Sequence, residues 1–449
     1  MQVIHHGGKD TVTGSCHEFR AAAIAILIDC GLFQGKDARP PEVDFPVKHI
    51  DALVLTHAHI DHIDHIGRIP WLLAAGFSGA IYCTEATAEL VPLMLEDGLR
   101  LQLGLNQKQL HQVLDLVKKR LKPVKYGEWL RLTPCVKNGY RASRSTAHAL
   151  ENYLYLRFNP AGHILGSAYL EFKLPSDEVV VFSGDLGPRN TPLLPDPISP
   201  PRADYLYIES TYGDKLHESV EERGERLKSI INRSLQDGGT ILIPAFSVGR
   251  TQELLFDIEQ LIFEHNIGTD IPIILDSPLA KRVTQSYRRF KKLWGREAKR
   301  RLEVHRHPLA FEQCITIDDY RQHKALVNRL ASTGEPAIVV AASGMCQGGR
   351  IMDYLQALLP DECTDVLFAG YQANGTLGRE IQSGAKTVQI EHEMVEVRAQ
   401  IHTMSGYSAH ADQADLLAFI QGIAQKPKAI HLSHGEEEAK LNLLRAMQF

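Results

Sequence analysis

The sequence predicts an α/β protein in which one α/β unit is inserted into another, and three observations carry that reading. The first stretch, to about residue 210, alternates short apolar runs with Gly, Pro and Asp turns, the pattern of buried strands. From about residue 215 the alternation lengthens into strands separated by whole helices, which implies a parallel sheet with crossover helices. After about residue 395 the short runs return. In the first part, Ala23–Cys30, Ala52–Leu55, Tyr153–Phe158, Tyr169–Leu174, Val179–Phe182 and Tyr205–Ile208 read as strands. A stretch over 85–121 repeats apolar residues at helical spacing through Leu90, Leu93, Met94, Leu110, Val113, Leu114 and Val117. In the second part, helices over 219–236, 251–264, 279–293 and 319–331 alternate with strands Thr240–Pro244, Pro272–Leu275 and Ala337–Ala341. The last part carries a helix over 411–422 and the strand Ala429–Ser433.

Composition narrows the function classes. A chain of 449 residues favours two or three domains. Hydrophobic residues make up 44% and charged residues 23%, and no apolar run approaches the roughly 20 residues that cross a bilayer. The N-terminus, Met1-Gln2-Val3-Ile4-His5-His6, lacks the apolar centre of a signal peptide. The 7 Cys form no Cys-x-x-Cys pair, so neither a disulfide framework nor a thiolate zinc site is indicated, and a reducing cytoplasm is the simplest setting. A net charge of −5 excludes a uniformly basic nucleic-acid binder; any such surface is a local patch.

Residues 56–62 read Thr-His-Ala-His-Ile-Asp-His, directly after Ala52-Leu53-Val54-Leu55. His57, His59, Asp61 and His62 at a strand end suit two adjacent cations better than one. Zinc takes imidazole nitrogen and carboxylate oxygen, and a catalytic site keeps a position open for water. The competing reading is a solvated His-rich loop. Four further signals share this placement at the ends of apolar runs: His163 in Gly162–Ser167, Asp185 in Ser183–Gly187, His410 in Gly406–Asp412, and His434 in His431–Glu436. Each alone is an ordinary turn residue; together they mark one edge of a sheet, where ligands collect.

In this order the motifs resemble those of the metallo-β-lactamase fold. Glu209, His410 and His434, with the inserted second part, resemble its β-CASP branch. The pattern is similar to RNA-cleaving members such as the catalytic subunit of the messenger-RNA 3′-end cleavage complex and its bacterial and archaeal counterparts. Further matches are Asp29 in Ile-Asp-Cys-Gly, the segment Pro244–Glu253, and Ala342-Ser343-Gly344-Met345. The resemblance implies an αββα sandwich with an inserted β-CASP α/β domain. The metallo-β-lactamase parts are expected over 1–209 and 395–449 and the insert over 210–394.

It also implies roles. His57, His59 and His163 would bind one Zn2+, Asp61, His62 and His434 a second, and Asp185 would bridge them. The pair would activate a hydroxide for in-line attack on a phosphodiester. His410 would protonate the leaving 3′-oxygen, held by Glu209, and the products would carry 5′-phosphate and 3′-hydroxyl ends. Asp61 and Asp185 thus count as catalytic as well as metal-binding. Asp29 would orient ligands rather than bind metal. RNA-type members have His at the position of His434 where DNA-repair members have Val, which favours RNA over DNA; single-stranded RNA is the expected partner. The rivals are a DNA nuclease, a small-ester or thioester hydrolase on the same scaffold, and a silent scaffold; the last two are disfavoured by the basic insert and by the full set of ligand positions. A homodimer stays among the open oligomeric states, and no long C-terminal assembly domain is expected.

One departure from the family pattern is the repeat Ile60-Asp61-His62-Ile63-Asp64-His65. Spacing from His57 and His59 favours Asp61-His62 over Asp64-His65 as ligands. For RNA contact, ten Lys or Arg lie between Lys281 and Arg301, opposed only by Glu297, with Tyr287, Phe290 and Trp294 interleaved. They form either a phosphate-binding strip or a helix with its aromatics in the core. Ser343, Gly344 and Arg250, each after a strand, are candidate substrate contacts.

Overall fold

A computed structural model describes residues 1–33, 37–59, 67–103, 105–134, 153–265, 271–370 and 372–448. It divides into two compact units. One comprises Met1–Arg189, Pro195–Leu216 and His410–Phe449, the other Asn190–Leu194 and His217–Ala409. The compact units meet in sequence at 409/410, and a strand over Gln400–Thr403 pairs within the sheet of the second unit.

In the first unit, β1 (Gln2–Gly7), β2 (Cys16–Ala21), β3 (Ile24–Ile28), β4 (Ala52–Val54), β5 (Ala80–Thr84) and β6 (Leu121–Val124) form one sheet in that order. The first two pairings are antiparallel and the rest parallel. Helix α1 (Ile69–Ala74) precedes β5, and α2 (Glu85–Leu103) and α3 (Gln107–Arg120) follow it. Asn106 and Gln109 close a capping box that starts α3 and so splits the expected 85–121 helix in two. A second sheet holds β7 (Leu130–Leu132), β8 (Leu154–Pro160), β9 (Ala168–Lys173), β10 (Val179–Phe182) and β11 (Tyr205–Glu209). The two sheets pack face to face through Phe19, Ile26 and Val54 on one and Phe158, Phe172 and Phe182 on the other. Strand alternation explains the unbroken apolar run of β10: Val180 and Phe182 enter this core while Val179 and Val181 face the opposite side.

The second unit follows the βα alternation read from the sequence. Its elements are α4 (Val220–Asp237), β12 (Thr240–Pro244), α5 (Arg250–His265), β13 (Ile273–Asp276), α6 (Pro278–Arg289), α7 (Arg296–Glu303), β14 (Cys314–Thr316), α8 (Tyr320–Thr333), β15 (Ala337–Ala341), α9 (Ile351–Leu358), β16 (Asp365–Phe368), α10 (Leu377–Gln382), the hairpin β17 (Thr387–Ile390) and β18 (Glu393–Glu396), and β19 (Gln400–Thr403). A six-stranded sheet runs β14-β13-β15-β12-β16-β19, parallel throughout. The expected single helix over 279–293 ends at Arg289, and a short 3-10 turn at Lys291–Leu293 separates it from α7.

The chain then returns to the first unit with α11 (Gln413–Gln421), β20 (Ala429–Ser433) and α12 (Glu437–Ala446). β20 joins the second sheet beside β11, both pairings of β11 being parallel. Leu416, Phe419 and Leu443 of the two helices cover its outer side, while α2 packs on β5 and β6. The result is the expected αββα sandwich. Among the described residues, no helix is long and apolar enough to cross a membrane.

A buried charge network ties the second unit together at the end of β13. His323 is 0% exposed and lies 2.7 Å from Asp276 on one ring nitrogen and 2.7 Å from Asp353 on the other. Arg350 and the Tyr354 hydroxyl both donate to Asp276. Burial alone would lower the His323 pKa, but its hydrogen bonds to the two carboxylates outweigh that and raise it. The sign follows from linkage: a raised folded-state pKa gives stability that is full below the ordinary histidine range and is lost as pH rises through the folded value. We expect the melting temperature to fall on that alkaline side. His323→Ala, which strands buried carboxylates, should cost about 3–5 kcal/mol and remove that pH dependence in thermal melts.

Candidate metal centre

The site is built at the carboxyl ends of strands from both sheets of the first unit. β4 delivers His57 and His59, the β8–β9 turn delivers His163, β10 delivers Asp185, β11 ends on Glu209, and β20 delivers His434. All six, with His410, are at least nine-tenths buried. Two groups of ligand atoms converge: His57, His59, His163 and Asp185, and Asp185, Glu209, His410 and His434, each with its atoms within 4.8 Å of one another. His57 Nε2 and His163 Nε2 lie 3.4 and 3.6 Å from Asp185 Oδ2, and His434 Nδ1 lies 3.5 Å from Asp185 Oδ1. His163 Nε2 and His59 Nδ1 are 3.0 Å apart. Ligands at the usual Zn–N and Zn–O lengths around a tetrahedral zinc stand about 3.3 Å from one another. The donor set therefore fits zinc in both chemistry and spacing, and Asp185 belongs to both groups. Asp61, His62, Asp64 and His65 lie outside the described residues.

Supporting contacts hold each ligand. Asp29 takes the Thr56 N–H on Oδ1 and the Thr56 hydroxyl on Oδ2, both at 2.8 Å, and the Thr56 oxygen lies 3.0 Å from His57 Nδ1. Thr56 thus links Asp29 to His57. Ser167 Oγ accepts the His163 N–H at 3.0 Å. His434 sits in the left-handed backbone region, φ 52°, which costs a non-glycine residue on the order of 1 kcal/mol. That conformation is held by its N–H on the Gly8 carbonyl at 2.7 Å and by the Thr211 hydroxyl donating to its carbonyl at 3.1 Å. Gly184 has φ 53°, and a Cβ there would stand 2.8 Å from Thr56 Cβ. Gly187 permits a still closer approach, since its Cβ would meet the Gly162 carbonyl oxygen at 2.1 Å. Gly187→Ala must push the His163 turn away; we expect a stability loss of about 1–3 kcal/mol and a lower zinc content by elemental analysis.

His410 Nδ1 lies 3.1 and 3.3 Å from the two oxygens of Glu209. One residue that sequence reasoning missed joins this pair to the metal ligands. The Leu186 N–H donates to Glu209 at 2.6 Å, and the Leu186 carbonyl accepts the Ala411 N–H at 2.7 Å. The backbone next to Asp185 therefore grips both members of the pair. Ser183 Oγ accepts the Glu209 N–H at 3.0 Å, and Asp412, capping α11, fixes the chain just after His410. Contacts made by backbone amides and hydroxyls leave no compositional mark.

The remaining candidates lie in the second unit. Gly344 approaches Phe246 closely enough that a Cβ would stand 2.9 Å from its nitrogen, and the Arg250 guanidinium lies 4.9 Å from the Phe246 ring centre. Gly344 and Arg250 therefore both lie beside Phe246, with Ser343 next to Gly344 in sequence. The Ser343 N–H donates to the Gly348 carbonyl at 3.4 Å, and so is engaged within its own loop. In the basic stretch, Tyr287 and Trp294 are buried, and the Trp294 indole donates to the Tyr287 carbonyl at 3.0 Å. These aromatics belong to the core, not to a base-stacking surface. Arg301 is also buried, paired with Glu259 at 3.2 Å. Arg282, Arg288, Arg289, Lys291, Lys292, Arg296, Lys299 and Arg300 remain exposed.

Comparison with known proteins places this geometry. Residues 13–128 match the metallo-β-lactamase superfamily, 251–381 the Beta-Casp domain, and 394–448 the Zn-dependent metallo-hydrolase RNA specificity domain. The chain is 36% identical over 448 residues to ribonuclease TTHA0252 of Thermus thermophilus, covering 99% of this chain and 95% of that protein. It is 30% identical over 458 residues to transcription termination factor FttA of Methanocaldococcus jannaschii, covering 98% and 68%. The FttA of Methanosarcina mazei is 29% identical over 461 residues. This chain belongs to the metallo-β-lactamase superfamily, in its β-CASP branch, and is a Zn-dependent metallo-hydrolase.

Proposed function

We propose that this protein is a ribonuclease that hydrolyses single-stranded RNA and leaves 5′-phosphate and 3′-hydroxyl ends. The observation that carries the proposal is the buried His410–Glu209 pair set beside Asp185, the carboxylate common to both ligand groups. Residues His57, His59 and His163 with Asp185 would hold one zinc. Asp185 and His434, with Asp61 and His62, would hold a second. Bound zinc supplies Lewis acidity that activates water and disperses charge on a phosphate oxygen.

The protein's own groups do the rest. The Glu209 carboxylate accepts from His410 Nδ1–H and leaves Nε2 to give a proton to the departing 3′-oxygen. Burial of the ligands keeps bulk water away from these charges and strengthens them. Two findings support RNA as the polymer. The match to the RNA specificity domain spans both His410 and His434, and a relative covering nearly the whole chain is named a ribonuclease. The exposed cations of α6 and α7 offer phosphate contacts, and burial together with the Arg288 and Lys291 charges lowers the pKa of nearby His307. Ser343, Gly344 and Arg250 are assigned to substrate contact. Labelled single-stranded RNA and DNA, incubated with zinc-loaded protein and a His59→Ala control, test the reading. RNA cleavage with 5′-phosphate ends, lost in the control, is the expected result. Intact RNA beside hydrolysis of DNA or of a thioester would sink it.

A further inference from the structure

α11 and α12 cover the outer side of β9, β10 and β11 through Tyr169, Val179, Val181, Leu206 and Ile208. The end of that face formed by β7 and β8 carries different residues. Leu132, Leu154, Leu156 and Phe158 turn into the inter-sheet core. Strand alternation therefore sends Arg131, Tyr153, Tyr155 and Arg157 outward. Arg131 is exposed, the other three are half-buried, and Trp129 is 40% exposed. Register sets Arg131 beside Tyr155, and Tyr155 beside Lys173. The Arg131 guanidinium lies 3.6 Å from the Tyr153 ring centre and that of Arg157 lies 4.4 Å from the Trp129 ring. The Tyr153 and Tyr155 rings meet edge-on with centres 6.4 Å apart. Cations and aromatic rings thus alternate across a sheet face, in contrast to α6–α7, where the aromatics are core.

Two acidic side chains of this region, Glu171 and Asp177, are engaged, while Glu128 beside Trp129 is exposed. Glu171 is 2% exposed and is taken by Arg157 at 2.6 Å and by Asn159. Asp177 pairs with Lys173 at 2.7 Å in an exposed contact that a phosphate can displace.

We propose that this face binds single-stranded RNA outside the cleavage centre, with bases stacked on Trp129, Tyr153 and Tyr155 and phosphates met by Arg131 and Lys173. The identity of the polymer rests on the ribonuclease reading above. Residues i and i+2 on a strand are about 6.8 Å apart. An unstacked, extended polynucleotide can match that interval. A duplex cannot use the rings, because its bases are paired and stacked on one another and leave no free face. Unpaired bases stacked on aromatic rings beside cations are the usual means of binding single strands.

The test measures binding apart from cleavage. Fluorescence anisotropy of a U-rich oligoribonucleotide is followed with the zinc-loaded full chain, carrying His410→Ala so that the probe survives. Adding Trp129→Ala and Tyr155→Ala should weaken single-strand affinity about 10- to 100-fold and leave a duplex RNA of equal length unaffected. Adding Arg131→Ala and Lys173→Ala instead should flatten the salt dependence by about one to two in slope. Unchanged affinity and slope in both variants, with melting temperatures intact, would overturn the proposal. So would equal losses for duplex and single strand, or changed self-association with RNA affinity retained. RNA binding that depends on this face in a protein that cleaves no RNA would sink the ribonuclease reading and leave the platform standing.

Discussion

Asp185→Asn is expected to lower RNA cleavage by about 10³-fold or more and to bring the zinc content below that of the parent protein. Asp185 is 1% exposed, and its two oxygens face different partners, Oδ2 toward His57 and His163 and Oδ1 toward His434. Asparagine has nearly the same shape, so the sandwich should fold and melt much as before. What changes is charge: a carboxylate shared by two ligand groups becomes a neutral amide whose NH2 end cannot bind a cation. A metal contributes several kcal/mol of charge stabilisation in the transition state, and each 1.36 kcal/mol is a factor of ten in rate, which sets the expected size. Elemental analysis and single-turnover cleavage read the two consequences separately. A variant that keeps both zinc and rate would remove Asp185 from the centre.

His410→Ala is expected to lower kcat by about 10²- to 10⁴-fold, the range for losing a general acid, while the zinc content stays at the parent level. The second half distinguishes two parts that geometry alone allows, because His410 also lies within 4.8 Å of Asp185, Glu209 and His434. Zinc lost together with activity would make His410 a ligand instead. Glu209→Gln carries a directional test. Without the carboxylate at Nδ1 the protonated imidazole is less favoured, so His410 gives up its proton at lower pH and the alkaline limb of the pH–rate profile should move downward. A profile unmoved in shape would leave Glu209 a structural residue that holds the Leu186 amide.

Much of this was legible because the same physics writes both the pattern and the structure. β10, β12 and β15 have the bounds read from the sequence, since apolar runs closed by Gly, Pro or polar residues are what a strand buried among others requires, and the edge strand β20 also keeps its expected bounds. Helix α12 was missed because only Ala439 and Leu443 are buried on it while Leu441 and Leu444 are exposed, so its apolar face is too thin to announce itself. The hairpin of β17 and β18 was missed too: Thr387–Ile390 alternates as a half-buried strand does, but over four residues only. In the site, imidazoles and carboxylates at strand ends were conspicuous. Thr56, Ser183, Thr211 and the Leu186 peptide were not, because hydroxyls and amides occur everywhere. The basic stretch left two readings open: spacing that suits stacking bases suits core packing equally, and burial of Tyr287 and Trp294 decides for the core.

The nesting of one unit inside the other also bears on how the molecule is made. β11 ends at Glu209, and its parallel neighbour β20 begins at Ala429. A ribosome adding about 5–20 residues per second needs ten seconds or more to deliver the second strand after the first. Throughout that interval the nascent sheet has an open β11 border, which invites pairing with other chains. Slow, non-local closure of this kind predicts that yield during synthesis depends on chaperones more than the stability of the finished protein would suggest.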